Sequence, residues 1–196
     1  MEGHGYKKGG VPSMTALIES PDLLATSDIW SASAACSELW MLLRAAGDET
    51  PSVYRTRVKG LIAAETSIEP LEAIRRIRGE LREKPESFKN LLRIIPVETT
   101  VSTEIDEIVE TAQRLAEKIP GDESFRVTLE KRRTKLRSRE VIDAVAEKID
   151  RKVDLGEPDW VVLVEIVGKR TGIAVVPRDG ILSVQKERAQ LASEGK

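Results

Sequence analysis

Histidine and cysteine occur once each in the 196 residues, as His4 and Cys36. Nucleophilic triads and metal centres draw mostly on those two side chains, so their scarcity argues against hydrolytic and metal-dependent chemistry. A single cysteine also excludes an intrachain disulfide and a cysteine-based zinc site. Cys36 falls in an apolar helical pattern, where a thiol behaves as a small buried hydrophobe. Aromatic residues are 4% of the chain, and Tyr54, Phe88, Phe125 and Trp160 fall at core or strand-edge positions. A protein that splays out and stacks single-stranded bases needs several exposed rings. No apolar run approaches the length of a membrane span, and residues 1–21 lack the apolar core of a secretory signal. Glycines offer no phosphate loop either: Gly168-Lys169-Arg170-Thr171-Gly172 has the wrong order and reads as a hairpin turn. The expectation is a cytoplasmic protein that is not an enzyme and carries no metal or cofactor.

What the chain does hold is charge, segregated by sign. Charged residues make up 33% of it, yet the net charge is only −2. Phe125–Arg139 reads FRVTLEKRRTKLRSR and carries seven basic residues against Glu130 alone, a local charge of +6. Just before it, Val101–Glu123 holds seven acids against Arg114 and Lys118. Such polarity confines any polyanion-binding surface to one region.

The period of the apolar residues supplies the elements. Met1–Pro12 is Gly-rich with Lys7 and Lys8 and reads, to residue 21, as a flexible tail. A first strand falls near Leu23–Thr26. A helix follows, capped by Ser31 or Ser33, with a stripe of Ala35, Leu39, Leu42, Leu43 and Ala46 and an exit at Gly47. Val53–Thr66 is one bent strand or a tight pair about Gly60. Pro70 opens a second helix with Leu71, Ile74, Ile77 and Leu81 inward, ended by Pro85. Leu91–Val97 is a further strand, which Pro96 pushes toward an edge or an end. The β-α-β(β)-α-β order over 22–98 is that of a ferredoxin-like sandwich.

A second unit spans 101–178. Thr103 and Asp106 suggest a shortened capping box for a helix with Ile105, Ile108, Ala112, Leu115 and Ile119 inward. Phe125, Val127 and Leu129 lie on one face of a strand, with Arg126, Thr128 and Glu130 on the other. Ser138 is placed to cap a helix with Val141, Ile142, Val145 and Ile149 inward. Trp160–Val167 is apolar on both faces except for Glu165, the pattern of a covered central strand. For Glu165 the favoured reading is edge exposure or pairing with a basic neighbour. Thr171–Val176 is its hairpin partner, and residues 179–196 read as a polar tail. The fold class is α+β.

The second unit resembles a THUMP domain, an RNA-binding module of tRNA-modification systems. The resemblance rests on FRVTLEKR, on RSREVIDAVAEKI, and above all on VDLGEPDWVVLVEI over Val153–Ile166. A ferredoxin-like unit followed by this module and little else is similar to the stand-alone THUMP family. That likeness implies a tRNA-binding adaptor that presents the acceptor end of tRNA to a cytidine acetyltransferase forming N4-acetylcytidine. The alternatives are a protein-interaction module, or an accessory subunit for tRNA methylation or thiolation. The residues it carries over for RNA binding are Lys131, Arg132, Arg133, Lys135, Arg137 and Arg139. From the residues themselves, a cation cluster between a strand and a helix N-terminus suits phosphate, because that terminus adds N–H donors. Lys169 and Arg170, on the neighbouring turn, extend the patch. A solvated linker is the competing reading of the loop.

Overall fold

Apolar residues that alternate without a polar face need cover on both sides, and this chain supplies it by stacking two sheets. The structure, a computed structural model, describes residues 20–194. The N-terminal stretch to residue 19, with His4, lies outside the described residues.

The first unit runs β1 (Leu23–Ser27), α1 (Ala32–Ala45), β2 (Ser52–Arg55), β3 (Leu61–Glu65), α2 (Pro70–Glu83) and β4 (Leu91–Pro96). Val53–Thr66 thus resolves as the tight pair, with Gly60 at φ +74° in its turn. The second runs β5 (Thr99–Ser102), α3 (Ile105–Ala116), β6 (Ser124–Arg132), α4 (Ser138–Lys148), β7 (Lys152–Val153), β8 (Trp160–Val167) and β9 (Arg170–Pro177). The chain then returns to the first sheet through β10 (Leu182–Ser183) and ends in α5 (Val184–Glu194). The sheet orders are β10-β4-β1-β3-β2, antiparallel throughout, and β5-β9-β8-β6-β7, in which β6 runs parallel to β7 and β8.

Strand alternation sorts the side chains into three cores. Leu23, Ala25, Ile62, Ala64 and Ile94 pack under α1, α2 and the start of α5. Their neighbours Leu24, Leu61, Ala63 and Ile95 turn the other way and meet Val161, Leu163, Ala174 and Val176 of the second sheet. Val162, Val164, Ile173 and Val175 face α3 and α4. The result is four layers, helices outside and sheets inside. β8 is central and covered on both faces, as its composition requires.

Several local expectations give way to tertiary structure. Within the segment expected as a tail, residues 179–194 dock on the first unit: Leu182 and Val184 are buried in the first core. Arg78 donates to Glu187 and to the carbonyls of Asp179 and Ile181. The second sheet begins at Thr99, because Thr99–Ser102 pairs with β9. Pro96 sits at the end of β4 and not on an edge strand, since β10 covers that side. Ser31 holds the N-cap position of α1 without a side-chain cap, its hydroxyl donating to Asp28 O instead. The Thr103–Asp106 capping box is absent: Glu104 holds the N-cap position, and Thr103 Oγ1 sits 3.0 Å from Thr171 Oγ1 instead. Ser138 is the first helical residue of α4, with Arg137 at the N-cap, and Ile142 is only half-buried.

Candidate nucleic-acid interface

The basic stretch does not leave the strand where its charge begins. β6 continues through Lys131 and Arg132, leaving residues 133–137 as the connection to α4. This extension decides where each cation goes. Strand alternation turns Arg132 to the same side as Arg126, Thr128 and Glu130, toward the space between the sheets. There its Nη1 donates to Glu165 Oε2 at 2.9 Å. Glu165 is 3% exposed, and burial raises its carboxyl above the ordinary range although the Arg132 bond pulls it down. Of the two readings of Glu165, pairing with a basic neighbour is the one observed. Arg93, across from the first sheet, pairs more loosely with Glu130 at 3.8 Å.

The other candidates divide between holding the loop and facing solvent. Lys131 Nζ donates to Leu136 O at 2.6 Å and closes the loop on itself. Arg133 takes a positive φ of 57° and donates to the carbonyl of Arg57 at 2.7 Å. Arg139 is exposed and pairs along its helix with Asp143. Arg170 is exposed at the start of β9. Lys135, Arg137 and Lys169 are exposed and converge on one open cleft of about 570 Å³. Glu104 and Glu140 also line it, so its own ionised side chains sum to +1.

The cleft has a second source of positive potential. Glu104 and Arg137 are the N-cap residues of α3 and α4, and neither helix is capped by a side chain. First-turn N–H groups left without a capping acceptor, at the positive ends of two helix dipoles, favour an anion. Asp106, Glu107 and Glu140 in those first turns offset part of that field. Lysine and arginine at a surface opening of this kind neutralise phosphates without reading bases. The structure therefore gathers Lys135, Arg137 and Lys169, commits Arg132 to the interior, and uses Lys131 and Arg133 to shape the loop.

The aromatics assigned to core or strand-edge positions lie there, and two further rings are exposed. Phe88 and Phe125 are buried, and Trp160 Nε1 donates to Glu123. Trp30 and Trp40, which composition alone does not single out, are 92% and 46% exposed. Among the described residues no group of three or more histidine, cysteine or acidic side chains is placed to hold a metal ion. No helix among them is long and apolar enough to cross a membrane.

A mixed α/β body of two stacked sheets, with a basic cleft at two helix N-termini, is the class these observations define. Residues 102–176 match the family model of the THUMP domain, so the chain carries that domain. The uncharacterized protein MJ0421 of Methanocaldococcus jannaschii is 27% identical over 114 residues, covering 56% of this chain and 32% of that protein. Among solved structures, PH1313 from Pyrococcus horikoshii superposes with a TM-score of 0.61 at 19% identity, covering 79% of this chain and 54% of that one. TrmN from Thermus thermophilus gives 0.52 at 20% identity, covering 78% and 44%. This chain spans about a third of the length of that curated relative and about half that of the two structures.

Proposed function

We propose that this protein is a tRNA-binding adaptor, without chemistry of its own, that presents tRNA to an acetyltransferase forming N4-acetylcytidine. The observation that carries the RNA-binding part is the cleft: Lys135, Arg137 and Lys169 meet at two uncapped helix N-termini inside a THUMP domain. Recognition is through phosphates and helical shape, at the acceptor end, and the partner enzyme selects the base. The first unit, 22–98, reads as ferredoxin-like on the support of its β-α-β-β-α-β order and its antiparallel β4-β1-β3-β2 arrangement. The second, 101–178, is the RNA-binding unit, and the protein works in the cytoplasm.

Filter binding of tRNA across a salt series tests the reading. Each phosphate contact contributes about 0.7 to 0.9 to the slope of log affinity on log salt. Binding with a flat salt response, or binding unchanged by Lys135→Glu with Arg137→Glu, sinks it. The acetylation role is tested separately by nucleoside analysis of tRNA from a deletion strain, in which N4-acetylcytidine should be lost. Loss of a methylated or thiolated nucleoside instead would reassign the partner. A protein-interaction role is supported by Trp40 and Met41, which α1 leaves 46% and 58% exposed.

A further inference from the structure

The basic loop is not the end of the surface it belongs to. Arg133, in its left-handed conformation, ties the loop to the β2–β3 turn through the Arg57 carbonyl. In that turn Val58 points into the core between the sheets, leaving Arg57 and Lys59 exposed on either side of it. Arg55 to Gly60 holds three cations and no acid. Gly60, at φ +74°, closes the turn against the β1–α1 connection: its carbonyl accepts from Ser27 N, and a Cβ there would lie 2.6 Å from Ser27 O and 3.6 Å from Ile29 Cγ2. Trp30 comes next in the chain and is 92% exposed.

We propose that Trp30 is a base-stacking platform, the aromatic end of an RNA surface that runs from the basic loop across Arg57 and Lys59. The inference rests on the RNA-binding reading above and adds the ligand's chemistry: an unpaired base next to a phosphate-contacted segment. A bare indole face is costly to leave in water and is matched by the π-face of any base. Its surroundings select that occupant. The turn that meets the ring's loop at Gly60 carries three cations, and the loop itself one acid, Asp28. The continuity from Lys135 through Arg133 and Arg57 to Ile29 gives the backbone a track toward the ring. The single-strand contact that a low aromatic count argues against is thereby made by one residue.

The test uses the full chain with tRNA and, as a second probe, a blunt, fully paired RNA duplex. Tryptophan fluorescence of the wild type should be quenched by tRNA, less so by duplex, with the difference lost in Trp30→Ala. That variant should bind tRNA about 5- to 150-fold more weakly, the range for one stacked base, with an unchanged salt slope. Arg57→Glu with Lys59→Glu should instead lower the slope by about two contacts. Trp30→Tyr should retain most of the affinity and Trp30→Leu should not. If Trp30→Leu binds like the wild type, or Trp30→Ala costs less than twofold while Lys135→Glu with Arg137→Glu abolishes binding, the stacking role is overturned and the RNA-binding reading stands. If the wild type does not bind tRNA, both fall.

Discussion

Arg132 and Glu165 meet between the two sheets, Nη1 to Oε2 at 2.9 Å, with the carboxylate 3% exposed and the guanidinium side chain 22% exposed. Glu165 projects from the same face of β8 as Val161 and Leu163, into the space between the sheets, where Arg132, Glu130 and Arg93 lie beside the aliphatic side chains. Burial raises its carboxyl, the Arg132 bond lowers it by less, and Glu130 nearby raises it further. The folded chain therefore keeps this proton over a range in which the unfolded chain releases it. Stability from this group is fully present below its ordinary value of 4.5 and is lost as pH rises through the raised one. Urea unfolding at a series of pH values should show that decline in the wild type. Glu165→Gln, which cannot ionise, should flatten it.

The same pair changes which substitutions report on RNA. Arg132→Glu sets a new carboxylate beside Glu165 and Glu130, and breaking a buried pair from one side costs about 3–5 kcal/mol. Its loss of tRNA binding should be accompanied by a lower unfolding midpoint. Lys135→Glu, Arg137→Glu and Lys169→Glu break no internal bond that the structure shows. Each should weaken tRNA binding and reduce the salt slope by about one contact, with the midpoint held within roughly 0.5 kcal/mol. Thermal melts run beside the binding series separate the two classes.

Removing residues 179–196 should destabilise the first sheet strongly. The cut takes away β10, the buried Leu182 and Val184, and the Glu187 partner of Arg78 at 2.9 Å. It also leaves Arg78, 9% exposed, without the carbonyls of Asp179 and Ile181. Two buried aliphatics at roughly 1.5–3 kcal/mol each, with an unpaired guanidinium, exceed about 5 kcal/mol. A drop in melting temperature of about 10 °C or more follows for a chain of this size. An unchanged melt would return the segment to the status of a tail.

Elements with a strong period were legible in the sequence, because their pattern and burial answer to the same geometry. The inward stripe of α1 and the two-faced run of β8 are examples. Features decided by a distant partner were not. Thr103 has the right chemistry for a cap, but Thr171 lies 3.0 Å from its hydroxyl once β9 is in place. Arg132 looks like a loop cation until strand alternation and the β8 register put it beside Glu165. β10 is two residues long and α5 is nearly polar, so neither carries an apolar period to detect. Trp30 gave no signal, since exposure of one ring cannot be read from composition.

The connection after α1 carries the clearest acid-sensitive device. Asp48 is buried, and its carboxylate accepts from Thr50 N at 3.0 Å, Thr66 Oγ1 at 2.5 Å, Ser67 N at 3.0 Å and Ser67 Oγ at 2.9 Å. Burial alone would raise this carboxyl, but the bonds from Thr66, Thr50 and Ser67 together outweigh it and hold the group below its ordinary value. A depressed acid stabilises the fold above its unfolded value, and that contribution disappears as pH falls through the folded one. Asp48→Asn keeps one acceptor oxygen and turns an amide donor toward groups that are themselves donors. With a buried N–H or hydroxyl left unsatisfied, the change should cost about 2–3 kcal/mol at neutral pH. It should also remove part of the acid limb of the stability curve. Urea midpoints from neutral pH into the acid range, wild type against Asp48→Asn, read both effects, and parallel curves would show that Asp48 does not titrate with unfolding.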